Sequence, residues 1–450
     1  MRCGEARCYR RMELFGGTSR VDTDSLMRLQ VRRPGVDRRE SMSVTRPESS
    51  SPASLPMHRS SVFDPPDDYR RLRQQEPASR LAFPDGKIGH LFTRYEDVRA
   101  LLADVRFSSD RRRASSPVRS FPIRRDEPAT RAGSLLGMDP PEHTRYRHML
   151  ARYFTVRRMR TLAPRIAQIV SEHLDAIERS GPPADLVAAF ARPIPSLVIC
   201  DLLGVPYRDR GIFQNCTSTL LRLDMGEHVV LAARDELWQY MLGLVVSKRQ
   251  HPDGALLGDL IQNGSPDTAL TDEQLAGLGL LLLVAGHETT ANMLALGTYA
   301  LLRHPDQLRA LREHTELEDS AVEELLRYLT IVQFGAIRVA REDIDLAGQH
   351  ICTGETVVAS LAGANRDPAQ FPEPDELDLA RRASRHVAFG HGIHQCLGQQ
   401  LARLEMKIAF PALFRRFPTL QLAVPPDQVP MRHDMIVYGV HRLPVEWITA

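Results

Sequence analysis

The chain is poor in cysteine. Six cysteines in 450 residues (Cys3, Cys8, Cys200, Cys216, Cys352 and Cys396) are no disulfide framework, and their spacing forms no metal knuckle. That pattern points to a reducing compartment, the cytoplasm. An excess of charge of one sign is also missing. The formal net charge is +2, which excludes nucleic acid as the main partner. The opening MRCGEARCYRRMELFGG holds charges but no continuous apolar core, so it does not read as a secretory signal. No internal repeat is visible. One stretch, Leu275 to Leu302, is long enough to cross a bilayer. His287-Glu288-Thr289-Thr290 interrupts its centre, where a charge would be costly in lipid. It therefore reads as a core helix, and no membrane association is expected. What remains is an ordinary soluble globular composition, 43% hydrophobic and 25% charged.

Residues 1–56 are rich in Arg, Ser and Pro without a sustained period, and read as a disordered extension. Met42 and Met57 are alternative starts. Residues 57–450 read as a single domain, mainly α with a smaller β region. Asp64 and the two prolines of SVFDPPDDYRRLRQQ set a helix start. ASRLAFPDGKIGHLFTR reads as a hairpin about Asp85-Gly86, and YEDVRALLAD as a helix. Phe107 to Asp139 is a long polar, Pro-rich loop, a candidate lid or binding loop. Its Arg111 to Arg113 and Arg124 to Arg125 read as solvated charges. Asp139 caps the next helix, with Pro140 and Pro141 in its first turn. Thr161 to Lys248 is mostly helical. ARPIPSLVICDLLGVP is a buried helix ending at Gly204, and Pro206 to Met225 is a candidate mobile lid. Thr271 and Gln274 form a capping box opening a helix that runs to His304. Short strands follow from Gln333, and MIVYGVHRLPVEW reads as a final hairpin returning towards the pocket.

The most informative stretch is FGHGIHQCLG, Phe389 to Gly398. Cys396 lies among glycines, at the end of a loop that feeds the helical pattern QQLARLEMKIAFPALFRRF. Backbone N–H groups at such a helix start stabilise a thiolate, which is a soft-metal ligand. Phe389 can shield one side of the sulfur. Three readings fit these residues: a buried structural cysteine in a glycine-rich turn, a zinc site using His386, His391, His394 and Cys396, or a haem thiolate.

Other constellations add to this. His143 and Arg147 are four apart on one helical face, which suits an anion or an ordinary exposed pair. Gly286, Glu288 and Thr289 break the apolar pattern of the central helix, as functional sites do. Glu324 and Arg327 are three apart, but Glu323 could also reach Arg327, and spacing does not choose between them. Arg338 lies in an apolar strand, where a charge needs an anionic partner.

In this order along the chain, these motifs resemble the cytochrome P450 family. H-x-x-x-R is matched by His143 and Arg147, A/G-G-x-D/E-T by Gly286, Glu288 and Thr289, and E-x-x-R by Glu324 and Arg327. Asn365-Arg366-Asp367-Pro368 matches the N-R-D-P turn. F-x-x-G-x-H-x-C-x-G is matched by Phe389, Gly392, His394, Cys396 and Gly398. The resemblance covers about residues 60 to 450 and is similar to the soluble actinobacterial type. It implies a triangular helical domain around a buried haem b, with Cys396 as the iron ligand. His143, Arg147, Arg338 and His394 would meet the haem propionates, while Phe389 and Gly398 belong to the haem loop. Arg381 would join the Glu324–Arg327 pair. Gly286 would leave room for dioxygen, Thr289 would donate a hydrogen bond to it, and Glu288 would pass protons inward. The implied reaction is hydroxylation or epoxidation of a lipophilic small molecule by a monomeric monooxygenase. The chain has no flavin or iron–sulfur signature, so a ferredoxin and its reductase are implied, with Arg385 and Arg403 as a basic docking face. A P450-fold isomerase or peroxygenase, or a non-enzymatic haem carrier, are the rival classes.

Overall fold

The computed structural model describes residues 52–118, 133–264 and 269–449. Nearly all of the expected N-terminal extension, and Arg124 and Arg125, lie outside the described residues. The helices are α1 (Asp68–Gln75), α2 (Tyr95–Ala103), α3 (Glu142–Ala151), α4 (Val156–Ser180), α5 (Pro193–Leu203), α6 (Arg210–Leu221), α7 (Glu227–Gln250), α8 (Leu256–Gln262), α9 (Asp272–Arg303), α10 (Pro305–Glu313), α11 (Glu318–Leu329), α12 (Leu361–Asn365) and α13 (Gln399–Arg416). The strands are β1 (Ala78–Ala82), β2 (Ile88–Phe92), β3 (Phe107–Ser108), β4 (Ala184–Asp185), β5 (Ala336–Ala340), β6 (Ile344–Leu346), β7 (Gln349–Ile351), β8 (Thr356–Ala359), β9 (Gln421–Leu422) and β10 (Pro444–Glu446). The fold is thus mainly α with a smaller β region, as the sequence implies.

Everything is arranged about α9. Its 32 residues span roughly 48 Å at about 1.5 Å per residue. The Thr271 hydroxyl accepts from the Gln274 N–H and the Gln274 side chain accepts from the Thr271 N–H, so the expected capping box is formed. Helices α5, α7 and α13 pack along it. It is the one helix among the described residues long and apolar enough to cross a membrane, and 67% of that apolar window is buried inside the protein. Its place is the core, not a bilayer.

The main sheet has the order β1-β2-β8-β5-β3. The β1–β2 hairpin pairs Ala78 with Phe92 through Ala82 with Ile88, and Gly86 takes a positive φ of 82° at its turn. β8 runs parallel to β2 and antiparallel to β5, which brings Arg338 opposite Val357. A second sheet, β4-β10-β9, joins the C-terminus to the start of the α5 region.

Several local expectations need correction. The first helix starts after Asp67, not Asp64; the Asp67 carboxylate accepts from the Ser60 N–H and hydroxyl, while Asp64 pairs with Arg366 at 3.1 Å. Asp139 does not cap α3 with its side chain. Its carboxylate reaches back to the Ser108 hydroxyl at 2.5 Å and the Ser109 N–H at 2.8 Å, so it fastens the long loop to β3. The candidate lid is largely the helix α6. The C-terminal segment is not a hairpin of its own two halves. A single bridge, Met431 to Val440, closes it into a loop, and β10 pairs elsewhere. The tip of that loop is tied to the end of α6: Leu223 N–H donates to the Asp434 carbonyl and Ile436 N–H to the Leu221 carbonyl, both at 2.8 Å. α5 does end at Gly204, which takes the left-handed conformation at φ 74°.

Candidate active site

The loop before α13 presents Cys396. Its N–H donates to the Phe389 carbonyl at 2.8 Å, closing the turn, and Gly392 has φ 72°. A Cβ on Gly392 would stand 2.3 Å from the Leu102 carbonyl oxygen, so only glycine lets the loop pass that close to α2. At Gly398 a Cβ would meet nothing within 4 Å, leaving open space beside the sulfur. Burial raises the Cys396 pKa. The N–H groups of Gly398 and Gln399 and the charges of Arg147 and Arg403 oppose it. Those groups favour a thiolate once a cation compensates its burial. The Phe389 ring lies 4.6 Å from the Arg403 guanidinium.

Beside the cysteine is a crowd of cations and imidazoles. The His143 and His394 rings are 4.1 Å apart. His143 is buried, yet both of its ring nitrogens lack a hydrogen-bond partner. Burial lowers its pKa, and Arg147 and Arg338 lower it further. His394 is pushed down to about 3, first by burial and then by Arg338, His143, Arg147 and Arg111. Arg338 is lowered to about 10 by burial and by Arg111. Asp139, the one acid acting on His143 and Arg338, is already engaged by Ser108 and Ser109. Buried cations without an anion are unstable as they stand. The arrangement fits a ligand carrying carboxylates, and the sulfur beside it fits a metal at that ligand's centre. Haem b satisfies both demands. Among the described residues no cluster of three or more His, Cys, Asp or Glu could hold a metal, which removes the zinc alternative for this loop.

Arg111, read as a solvated charge, is exposed, but its charge also bears on the site. It keeps accessible surface, but burial lowers its pKa and it acts on both Arg338 and His394. No period in the polar loop marks Arg111 out, so the sequence carries no signal for it.

On α9, Leu281, Ala285 and Thr289 are four apart and keep accessible surface, Ala285 the most, together with the neighbouring Leu280, Val284 and Gly286. This stripe faces the interior hollow. The Thr289 hydroxyl donates to the Ala285 carbonyl at 2.8 Å. The helix is unbroken, with no kink at Gly286. A Cβ there would come within 2.7 Å of the Ile199 side chain, so Gly286 is needed for contact with α5. Glu288 is buried and pairs with Arg432 at 3.1 Å; Arg432 also donates to Asn292 Oδ1 at 3.0 Å. Neither Arg432 nor Asn292 had been singled out from the sequence. Arg432 lies in an irregular loop without a motif. Asn292, four residues after Glu288, was visible only as one more polar residue on the helix.

The E-x-x-R ambiguity is resolved. Arg327 Nε and Nη2 donate to the two Glu324 oxygens, each at 2.7 Å. Arg327 also donates to the carbonyls of Asn365, Pro374 and Glu376. Arg381 reaches Glu324 Oε1 at 3.1 Å, as the resemblance implies. Glu323 takes Arg403 instead, at 2.6 Å and 3.0 Å, with His386 at 3.3 Å. Arg403 is therefore spent on Glu323 and Phe389, while Arg385 is exposed.

The cytochrome P450 family model matches residues 220–445. Cytochrome P450-SU2 of Streptomyces griseolus is 48% identical over 385 residues, covering 86% of this chain and 94% of that protein. Pentalenic acid synthase of Streptomyces avermitilis is 48% identical over 398 residues, covering 88% and 98%. The crystal structure of CYP105P1 in complex with filipin I superposes with a TM-score of 0.85 at 46% identity, covering 89% of this chain and all (100%) of that one. This chain belongs to the cytochrome P450 family: it is a haem b monooxygenase that puts one atom of dioxygen into a lipophilic small molecule.

Proposed function

We propose that Cys396 is the iron ligand, and that His143, Arg147, Arg338 and His394 hold the haem carboxylates, with Arg111 beside them. The observation that carries this is the pair of orphaned nitrogens on buried His143, whose ring lies 4.1 Å from that of His394 at a tilt of 49°, among cations that lack an anion. Haem, when bound, supplies the oxidising chemistry, and a thiolate ligand favours cleavage of the O–O bond. The protein's part is positioning and proton supply. Phe389 and Arg403 cover one side of the cysteine loop. Thr289 holds a proton on its hydroxyl, now donated to Ala285, which a rotation about χ1 re-aims at the hollow. Glu288 recharges it, while Arg432 fixes the carboxylate in place.

The substrate in this proposal is a medium or large lipophile. Val118, Leu223, Ile337 and Ile436, from the long loop, the end of α6, β5 and the C-terminal loop, are partly buried against one apolar cluster that includes Phe83 and Phe334, and they offer only apolar contacts. The relatives' names mention pentalenic acid and filipin I, which fits that range. Electrons come from a ferredoxin and its reductase in the cytoplasm, since the sequence carries no flavin or iron–sulfur signature. Arg385, exposed just before the cysteine loop, is part of the docking face.

The test is the absorbance of the dithionite-reduced, haem-loaded protein under carbon monoxide. The expected result is the strongly red-shifted Soret band of thiolate ligation, lost on Cys396→Ser. An imidazole-type band that survives Cys396→Ser would overturn the assignment.

A further inference from the structure

His287 precedes Glu288 and has no part in the reading above. Its ring is fully buried, and the edge of Phe213 meets it at 5.5 Å and 73°. Nδ1 lies 2.7 Å from the Leu283 carbonyl oxygen. A carbonyl only accepts, so Nδ1 carries the proton and Nε2 is left with a lone pair. Nε2 has no partner, and it points across 3.8 Å to Glu288 Oε1, which is another acceptor. Two buried acceptors facing one another are costly unless a donor stands between them. At 3.8 Å the gap is too long for a direct bond and too short for a water on the line; a water standing about 2 Å to one side lies within hydrogen-bond reach of both atoms. Arg432, which occupies the other oxygen of Glu288, has its own buried and unpaired Nε. The three side chains are therefore buried, polar and short of hydrogen bonds, the setting in which buried water is found.

We infer that His287 is a second proton-holding group behind Glu288, joined to its carboxylate through one buried water. This rests on the reading of Glu288 and Thr289 as the proton path. At rest the ring is neutral. Burial lowers its pKa, and the Arg192 and Arg432 charges act in the same sense, against Glu288 and the Leu283 carbonyl. A proton from solvent adds to Nε2 and gives an imidazolium. In the relay step the Nε2–H bond breaks and its proton passes to the water. The water gives one of its own protons to Glu288 Oε1. Imidazole is restored, the carboxylate becomes a carboxylic acid, and no net charge is made or lost. Glu288 then recharges Thr289. Arg432 is a positioning residue here, because it leaves Oε1 as the free oxygen.

The first test needs no turnover. Protein labelled with nitrogen-15 in histidine, haem-loaded, reduced and carbon monoxide-bound, is diamagnetic and open to NMR. The His287 resonances are assigned by their loss in His287→Phe, or in His287→Gln should the first variant fail to fold. The expected result is a protonated Nδ1 and a hydrogen-bonded Nε2 acceptor whose shift moves in Glu288→Gln, with a water between the two residues in a high-resolution crystal structure. A protonated Nε2, or an Nε2 indifferent to Glu288→Gln, would overturn the inference. The second test reads hydrogen peroxide released per NADPH in a ferredoxin-driven system, with and without filipin I as probe. Glu288→Gln and His287→Phe should both raise the peroxide share, and His287→Gln, which keeps polar atoms but cannot take up a proton, should stay uncoupled. If Glu288→Gln and Thr289→Ala uncouple while His287→Phe does not, His287 is no proton carrier. If none of the three uncouples, the proton-path reading itself falls.

Discussion

Arg327 and Glu324 face each other through two hydrogen bonds of 2.7 Å, and neither side chain has any solvent access. The Asn365 carbonyl at the end of α12, the carbonyls of Pro374 and Glu376, and Arg381 complete the cage, joining α11 to the segment that leads into the cysteine loop. Arg327→Met leaves Glu324 with Arg381 as its one cation, and Glu324→Gln leaves the Arg327 charge buried without an anion, at a cost of about 3–5 kcal/mol. Against a typical stability of about 5–15 kcal/mol, that is a large share. The expected outcome is a sharp fall in the yield of haem-loaded protein, read from Soret absorbance, and a lower Tm. A variant that melts within a degree of wild type would show that the cage is dispensable.

Acid should attack the neighbouring pair first. Burial raises the Glu323 pKa, but hydrogen bonds from His386 and Arg403 outweigh it and hold the carboxyl at about 2, below its ordinary 4.5. A carboxyl lowered on folding stabilises the protein above its unfolded pKa. That contribution, on the order of 3 kcal/mol, fades as pH falls from about 4.5 through about 2. In Glu323→Gln the slope of Tm against pH over that window should flatten. An unchanged slope would assign the acid sensitivity to other groups.

Thr289→Ala removes the hydroxyl facing the hollow but leaves the helix intact, since the hydroxyl's only bond in the structure is to the Ala285 carbonyl. Oxygen consumption should continue while product per NADPH falls sharply, because a positioned general acid contributes about a hundredfold or more to the step it serves. Thr289→Ser should retain coupling. Equal coupling in all three proteins would remove Thr289 from the mechanism.

Charge reversal at Arg385 should slow reduction by ferredoxin and flatten its dependence on ionic strength, because an exposed charge acts through screened attraction. Stopped-flow reduction in the presence of carbon monoxide reads the rate. Arg403→Glu is a poor probe of docking, since it would also break the bond to Glu323.

Much of this was legible because the relevant rules are local. The Thr271–Gln274 capping box, the Asp85-Gly86 turn and the end of α5 at Gly204 each depend on a few adjacent residues, and each formed as expected. The glycine-rich loop around Cys396 and the rule-break at Glu288-Thr289 stood out for the same reason. What escaped depends on distant partners. Asp139 looked like a helix cap until Ser108 and Ser109 claimed it. Glu323 and Glu324 are equivalent by spacing, and only Arg403 and the loop carbonyls tell them apart. Arg432 sits in an irregular segment where no period marks a buried charge, and nothing local shows that the exposed Arg111 acts on Arg338 and His394. Pro206 to Met225 looked like a loop because Pro and Gly open it, yet α6 occupies most of it.

The C-terminal loop touches two things at once. Its tip is bonded to Leu221 and Leu223 at the end of α6, and Arg432, two residues before Asp434, grips Glu288. A guest molecule bulky enough to lift α6 pulls on the same short backbone that sets the acid's grip. Fit at the mouth and readiness of the proton supply are thereby geared together, so a poorly fitting guest would be met by a mistimed proton rather than merely by a loose pocket.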